Sequence, residues 1–354
     1  MAKICKVTFN DTSFLANCGD LLLDSAMMNG VDIPHDCRAG ICGACKVRLV
    51  EGRVYGGQDA HSEEMIHACQ ARVVSDLEII TEEVPETVMM PGRVVRLTRL
   101  APDVVGVCIE IPKPLERLPG QFCKVQFRGF PARCYSPTFP LEGTPNDRLL
   151  NFHIRVVDDG LVSTALGRQI RVGHRVKING PLGMAFLRPN HRGGMVVVAS
   201  GTGFAPMWSI AVAAIFERPE RKLTFIVSGR TLQSMYMNKA LCRLALFPNV
   251  TIIPVVSEPQ TVTDAVRVGR PTNFMPPLTS NDVVYTGGNP AMTKTVAEMA
   301  KAVGAQCYTD PFVSEPTPVS QPGLMSWVTD WLADRAAGGA PAPSRMGSMR
   351  PRGA

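Results

Sequence analysis

Residues 35–45 read HDCRAGICGAC. Three cysteines, Cys37, Cys42 and Cys45, stand among small side chains. The next cysteine that continues the pattern is Cys69, in MIHACQ at 65–70, which leaves 23 residues between it and Cys45. Four thiols so spaced are open to several readings: disulfide partners, zinc ligands, redox thiols or ligands of an iron–sulfur cluster.

Chain-wide properties narrow the choice. At 354 residues the chain exceeds one ordinary core and predicts two or three domains. With 45% hydrophobic and 19% charged residues, its composition is globular. No apolar run reaches the ~18 residues of a membrane span. The N-terminal MAKICKVTFNDTSF lacks a secretory apolar core, so a cytoplasmic protein without a transmembrane segment is expected. Thiols stay reduced there, which weighs against a disulfide framework for the eleven cysteines.

Charge is unevenly spread. Residues 1–88 carry 7 Lys/Arg against 14 Asp/Glu, and the remainder carries 30 against 17. The basic excess forms no Lys/Arg run, which excludes a nucleic-acid-binding stripe.

The pattern C-x4-C-x2-C…C is the spacing of plant-type [2Fe–2S] sites. Four thiolates must converge on two irons, three of them from one tight loop. Ala39, Gly40, Gly43 and Ala44 let backbone N–H groups turn toward the sulfurs and offset the cluster's negative charge. Zinc, the competing reading, more often pairs one C-x2-C with a second or with histidines. Cys5 and Cys18 are read as small buried hydrophobes. KICKVTFN and SFLANC predict a hairpin, and DLLLDSAMMNG a short helix capped by Asp20 and closed by Gly30. CKVRLVEG and DLEIITEE predict strands. Residues 1–84 resemble the plant-type ferredoxin domain, a β-grasp fold, which implies Cys37, Cys42, Cys45 and Cys69 as cluster ligands.

Residues 85–91, rich in proline, read as a linker. Residues 92–190 then show short runs such as GRVVRLTRL, VVGVCIEI, QFCKVQF and LLNFHIRVV, broken by Gly and Pro. They predict an antiparallel barrel. Arg133-Cys134-Tyr135-Ser136 places a cation and an aromatic ring on one strand face and a hydroxyl on the other, which suits a flat anionic ligand but also an ordinary exposed strand. Asp159-Gly160-Leu161-Val162-Ser163 reads as a glycine turn and a helix start, fit for a phosphate or for plain capping.

In this order, and with the turn Gly180-Pro181-Leu182-Gly183, these segments resemble the flavin-binding domain of the ferredoxin–NADP reductase superfamily. The resemblance implies FAD. Arg133, Tyr135 and Ser136 would hold the isoalloxazine and nearby phosphate. His153, Ile154 and Arg155 would lie by the pyrophosphate and adenine, and Gly160 and Ser163 would bind the pyrophosphate. Many members show two glycines before this last turn; here Asp159 takes the first place.

Beyond Gly193 the pattern changes. GMVVVAS is a continuous apolar strand of the kind covered on both faces. Strand and helix patterns then alternate through LTFIVSG, SMYMNKALCRLAL, VTIIPVV, DVVYTGG and PAMTKTVAEMAKAVG. Residues 191–315 thus predict a doubly wound parallel sheet with ligands at the strand C-terminal ends. Gly201-Thr202-Gly203 follows the first strand and opens a helix, a diphosphate cradle that lacks the third glycine of the dinucleotide fingerprint. The loop matches the G-T-G-x-A-P segment of the same superfamily, and Gly287, Gly288 and Met292 match its C-G-P-P-x-M segment with glycine in place of cysteine. That resemblance implies a nicotinamide site and makes Phe312 the aromatic that shields the flavin. Arg230 and the hydroxyls of Ser228 and Ser234 stand where a 2′-phosphate would lie, and no acid occurs at 229–234. Related oxygenase reductases that use NADH also carry Gly-Arg here, so NADH is favoured over NADPH.

Residues 316–354 are read as largely disordered, with a short amphipathic helix around Trp327 and Trp331.

The fold class expected is therefore multi-domain α+β and α/β: a β-grasp ferredoxin, an antiparallel FAD barrel and a doubly wound nicotinamide domain. Module order resembles the electron-transfer component of multicomponent aromatic-ring dioxygenases. That resemblance implies an NAD(P)H-dependent reductase passing electrons through FAD and the cluster to a terminal oxygenase or an intermediate electron-carrier protein. Two alternatives stay open: the reductase of a soluble di-iron monooxygenase, and a non-catalytic scaffold.

Overall fold

Alternation writes the first sheet. In β1 (Ile4–Phe9), Cys5, Val7 and Phe9 point inward, and in β2 (Thr12–Asn17), Phe14 and Ala16 join them. The two strands form the expected antiparallel hairpin. The computed structural model describes residues 3–35, 38–40, 44–59, 62–81, 84–188, 190–258 and 265–313. Cys37 and Cys42 lie outside the described residues, as do residues 314–354 with the expected tail helix.

Helix α1 (Leu22–Met28) follows, then β3 (Lys46–Glu51), β4 (Val54–Tyr55), β5 (Gln58–Asp59), β6 (Ser62–His67), β7 (Arg72–Val73) and β8 (Leu77–Ile80). The six-stranded sheet runs β2-β1-β8-β3-β6-β5, with β1 and β8 parallel, while β4 and β7 pair separately. Asp20 does not cap α1, contrary to expectation: its carboxylate accepts from Asn17 Nδ2 at 3.0 Å. The cap is unnecessary because the amides of Leu22 and Leu23 donate to the carbonyls of Ala71 and Ala68. The helix start is thereby tied to the turn that carries Cys69. Gly30, at φ +72°, ends the helix as expected. Cys5 is buried, but Cys18 is exposed at the hairpin's end, a correction to its reading as a core residue.

The second sheet comprises β9 (Val88–Ala101), β10 (Val104–Glu110), β11 (Phe122–Phe127), β12 (Arg133–Tyr135), β13 (Leu149–Arg155) and β14 (Arg175–Leu182). Its order is β12-β11-β14-β9-β10-β13, antiparallel throughout. The end strands approach each other through a bridge between Thr138 and Asn151, and Phe127, Phe152 and Ile178 fill the interior. Residues 88–91, expected as part of a linker, are strand paired with β14. Pro91 is tolerated because it lies beyond the end of β10, so its missing N–H faces no partner strand. Gly180–Gly183, expected as a turn, is strand as far as Leu182; Gly180 sits where a Cβ would lie 2.7 Å from Cys123 Sγ.

The third sheet holds β15 (Met195–Ser200), β16 (Leu223–Gly229), β17 (Val250–Val256), β18 (Arg267–Val268), β19 (Val283–Gly288) and β20 (Gln306–Pro311) in the parallel order β18-β17-β16-β15-β19-β20. Helices α2 (Phe204–Glu217) and α3 (Asn238–Leu244) pack on one face and α4 (Pro290–Ala302) on the other. Strand β15 shows why its sequence is apolar throughout: Val197 and Ala199 face α2, Val196 and Val198 face α4. The run 234–246 is less helical than expected. Met235 and Met237 are buried in a non-helical turn before α3, and Thr231 and Ser234 close a separate short turn in a capping box.

Candidate functional site

The antiparallel register of β3 and β6 pairs Lys46 with His67, and the Ala68 amide donates to the Cys45 carbonyl at 3.0 Å. This brings Cys45 and Cys69 together. Their sulfurs lie 3.3 Å apart, both residues are 3% exposed, and they are not disulfide-linked. Gln70 secures the turn: its Nε2 donates to the carbonyls of Arg38 (2.9 Å) and Cys69 (3.0 Å). The Arg38 guanidinium pairs with Asp24 on α1. Arg38 and Gly40 both have positive φ, at 53° and 71°, a left-handed conformation that glycine adopts without strain. Two buried, unbridged thiols converging on one point fit metal–thiolate ligation. Among the described residues no third ligand joins them. The Nδ1 of His35 lies 2.9 Å from the Ile33 carbonyl.

In the barrel, β12 presents Arg133 and Tyr135 half-buried, with Tyr135 edge-on to Phe152 at 6.4 Å. Burial raises the Tyr135 phenol well above its ordinary value and keeps it neutral. Ser136, on the opposite face, is 6% exposed and bonded to Asp310. The segment after β13 is a single 3-10 turn, Ser163–Ala165, rather than the start of a longer helix. Asp159 adopts φ +61°, a left-handed conformation uncommon outside glycine. At Gly160 an added Cβ would meet Ser163 Oγ at 2.3 Å. The Ser163 hydroxyl accepts from the Val157 amide at 3.2 Å, so it closes its own turn, and any anion there must be met by backbone N–H groups.

The trio 153–155 splits by alternation. Ile154 points into the barrel core. His153 points toward the nucleotide lobe, with Nδ1 3.1 Å from the Tyr236 hydroxyl and its ring stacked on Phe204 at 6.3 Å. Complete burial drives its pKa down to about 3, so it is a neutral imidazole. Arg155 forms a two-point ion pair with Asp103, both contacts at 2.9 Å, beside Gly201.

Gly201 (φ +55°), Thr202 and Gly203 form one 3-10 turn before α2. Gly203 lies on the backbone of β19: its Cβ would sit 2.3 Å from the Gly287 carbonyl oxygen and 2.5 Å from the Gly288 nitrogen. Gly288 (φ +113°) lies equally close to the Ser200 carbonyl, at 2.4 Å. Backbone therefore packs on backbone at the strand C-terminal ends and leaves a shallow cradle for a diphosphate. The Thr138 hydroxyl, two residues past Ser136, donates to the Ala205 carbonyl at 2.7 Å and binds the barrel strand to this cradle.

Two sequence expectations are corrected here. Met292 faces the core beneath the sheet, not the cradle, and only its amide, capped by Asn289, is near the loop. Ser228 donates inward to Ala199 at 3.1 Å, and the Ser234 hydroxyl donates to the Thr231 carbonyl at 2.7 Å. Both hydroxyls are thus engaged within the fold; Arg230 alone of the three is exposed. Phe312 is 38% exposed, its amide donating to the Gly288 carbonyl at 2.7 Å.

Asp310 is the residue that the sequence reading passed over. Its Oδ2 is buried with no hydrogen-bond partner among the described residues, and burial, opposed by the Ser136 hydroxyl, pushes its pKa up to about 7. The only signal was an acid inside an otherwise uncharged strand, YTDPF. An orphaned buried oxygen at the meeting of the Arg133–Ser136 strand and the glycine cradle fits a site for a bound polar ring system.

Three family models match the chain: a 2Fe-2S iron-sulfur cluster binding domain at residues 7–74, an oxidoreductase FAD-binding domain at 91–186 and an oxidoreductase NAD-binding domain at 197–298. The reductase component of the naphthalene 1,2-dioxygenase system of Pseudomonas putida is 30% identical over 318 residues, covering 84% of this chain and 94% of that protein. Its counterpart for the naphthalene 1,2-dioxygenase/salicylate 5-hydroxylase systems of Ralstonia sp. is 33% identical over 308 residues, covering 82% and 91%. Among solved structures, the ferredoxin reductase in carbazole 1,9a-dioxygenase superposes with a TM-score of 0.62 at 25% identity, covering 88% of this chain and 99% of that one. The β-grasp module, the flavin barrel and the parallel nucleotide sheet agree with these matches, and the chain belongs to the family of NAD(P)H-oxidising, FAD- and [2Fe–2S]-containing reductase components of aromatic oxygenase systems.

Proposed function

We propose that this chain takes electrons from NADH and delivers them to the terminal component of an aromatic-ring dioxygenase, directly or through a small electron carrier, in the cytoplasm. Hydride brings two electrons together and a [2Fe–2S] cluster accepts one at a time, so the flavin supplies the two-to-one conversion. The chain's own groups bind and orient. Cys37, Cys42, Cys45 and Cys69 ligate the cluster. Arg133, Tyr135 and Ser136 hold the flavin ring, with the amides around Gly160 and Ser163 and the cation of Arg155 toward its phosphates. Gly201, Thr202, Gly203, Gly287 and Gly288 would receive the nicotinamide dinucleotide, Arg230 would meet its ribose end, and Phe312 would shield the flavin. Residues 1–84 form the iron–sulfur module, the barrel extends to 190, and 191–315 form the nucleotide module.

The observation that carries this reading is the buried, unbridged Cys45–Cys69 pair at 3.3 Å. It gives electrons an exit distinct from the nucleotide lobe. Near-full-length similarity to dioxygenase reductases supports the choice of acceptor. The test is reconstitution with purified terminal components. NADH-dependent formation of a ring cis-dihydrodiol with a dioxygenase component is expected. Productive coupling to a di-iron hydroxylase instead, with none to any dioxygenase, would replace the acceptor proposed.

Among the described residues no helix is long and apolar enough to cross a membrane.

A further inference from the structure

Strand β20 presents Tyr308, Asp310 and Phe312 on one face, because side chains two apart on a strand point the same way. That face lies against the barrel. Asp310 meets Ser136, and Tyr308 meets Arg188, which lies in the segment leaving β14. The Arg188 guanidinium stands 3.4 Å from the centroid of the Phe186 ring and 4.0 Å from that of Tyr308. Tyr308 stacks in turn on Tyr285, its register partner on β19, at 5.3 Å and 21°. The Tyr285 hydroxyl then accepts from the backbone amide of Arg188 at 2.9 Å. Phe186, Arg188, Tyr308 and Tyr285 thus form a closed column joining the barrel's exit segment to the last two strands of the nucleotide sheet. The guanidinium also donates to the carbonyls of Phe186 at 2.5 Å and Met184 at 3.1 Å, which fixes the cation beside the two rings.

We propose that Arg188 is a positioning residue of the hydride-transfer site: by clasping Tyr308 it sets where Asp310 meets Ser136. This rests on the reading of the barrel–nucleotide seam as the flavin site. Asp310 is only two residues beyond Tyr308 on the same strand, about 7 Å along it, so a shift of the ring carries the carboxyl with it. Few other groups can hold that carboxyl in place. The barrel offers it the Ser136 hydroxyl, and β19 pairs with it through Gly287, which has no side chain. A lysine at 188 would keep the charge but lacks the planar, forked guanidinium that contacts both rings and both carbonyls.

The experiment follows flavin reduction by NADH in anaerobic stopped flow across pH, on the full chain with its FAD and cluster. Arg188→Lys and Tyr308→Leu are expected to move the pH midpoint of the reduction rate down by about one unit or more, as the Asp310 carboxyl gains water. FAD content and the KM for NADH should stay within about twofold. Tyr308→Phe, which keeps the ring, should retain the parent midpoint. The proposal is overturned if the midpoint is unmoved in both Arg188→Lys and Tyr308→Leu, if Tyr308→Phe moves it as far as Tyr308→Leu, or if the parent profile is flat. A parent protein without flavin absorbance would overturn the functional reading as well, which keeps the two failures apart.

Discussion

The hydroxyl of Ser136, on the barrel, is hydrogen-bonded to the carboxyl of Asp310, on the last strand of the nucleotide sheet. One polar contact therefore spans the seam between the two sheets, at the point where flavin and nicotinamide are expected to meet. Removing the titrating group should be visible as a change in pH behaviour.

The folded protein holds the Asp310 proton more tightly than an unfolded chain does, since its pKa rises to about 7 from an ordinary value near 4. Its contribution to stability is complete below about pH 4 and is lost as pH rises through about 7. Asp310→Asn should remove that loss. Melts of parent and variant compared between pH 4.5 and 8 should diverge in the variant's favour as pH rises, by at most about 1.4 kcal/mol per pH unit. Parallel curves would show that the carboxyl does not titrate in this range.

Gly203 has no room for a side chain against the Gly287–Gly288 peptide. Gly203→Ala must push the cradle away from β19, at a cost of about 1–3 kcal/mol by the usual penalty of overpacking. The KM for NADH should rise about tenfold or more, while FAD, bound mainly by the barrel, is retained. Steady-state kinetics with ferricyanide, together with the flavin absorbance, measure both.

Cys69→Ser removes one of the two thiols that meet at 3.3 Å. The cluster's iron and acid-labile sulfide should be lost, and reduction of cytochrome c should fall by about tenfold or more. Ferricyanide reduction at the flavin should stay within about twofold of the parent. Normal iron content in the variant would remove Cys69 from the ligand set.

With Ser228 and Ser234 engaged elsewhere, Arg230 is the residue proposed to discriminate at the adenosine ribose. The parent should prefer NADH, since a single exposed cation grips a 2′-phosphate weakly. Arg230→Ala should raise the KM for NADPH by about two- to fivefold, or about 0.5–1 kcal/mol, and leave that for NADH nearly unchanged. Equal losses with both nucleotides would place Arg230 outside the ribose site.

Much of this was legible in the chain itself. The cysteine spacing pointed to the metal chemistry even though Cys37 and Cys42 lie outside the described residues. Alternation in ICKVTF and the unbroken apolar run MVVVAS announced a one-faced and a two-faced sheet, because side-chain direction follows directly from strand geometry. Gly203 was legible from the strand–glycine loop–helix pattern and Gly288 from the superfamily resemblance, while the backbone-on-backbone contact between them appeared only in the structure.

What sequence could not supply was partnership. Asp20 had the chemistry of a helix cap, but the carbonyls of Ala68 and Ala71, brought in from a distant turn, satisfied the helix first. Ser228 and Ser234 had the chemistry of phosphate donors, yet one was spent on β15 and the other on its own turn. Asp310 looked like an ordinary acid until β20 docked against β12 and closed water away from it. The residue types and their spacing determined which cofactors the chain could hold and how many modules it would form. Which donors remained free, and which carboxyl kept its proton, was decided only when strands far apart in the chain became neighbours, because solvation and hydrogen-bond supply belong to the packed whole rather than to any segment.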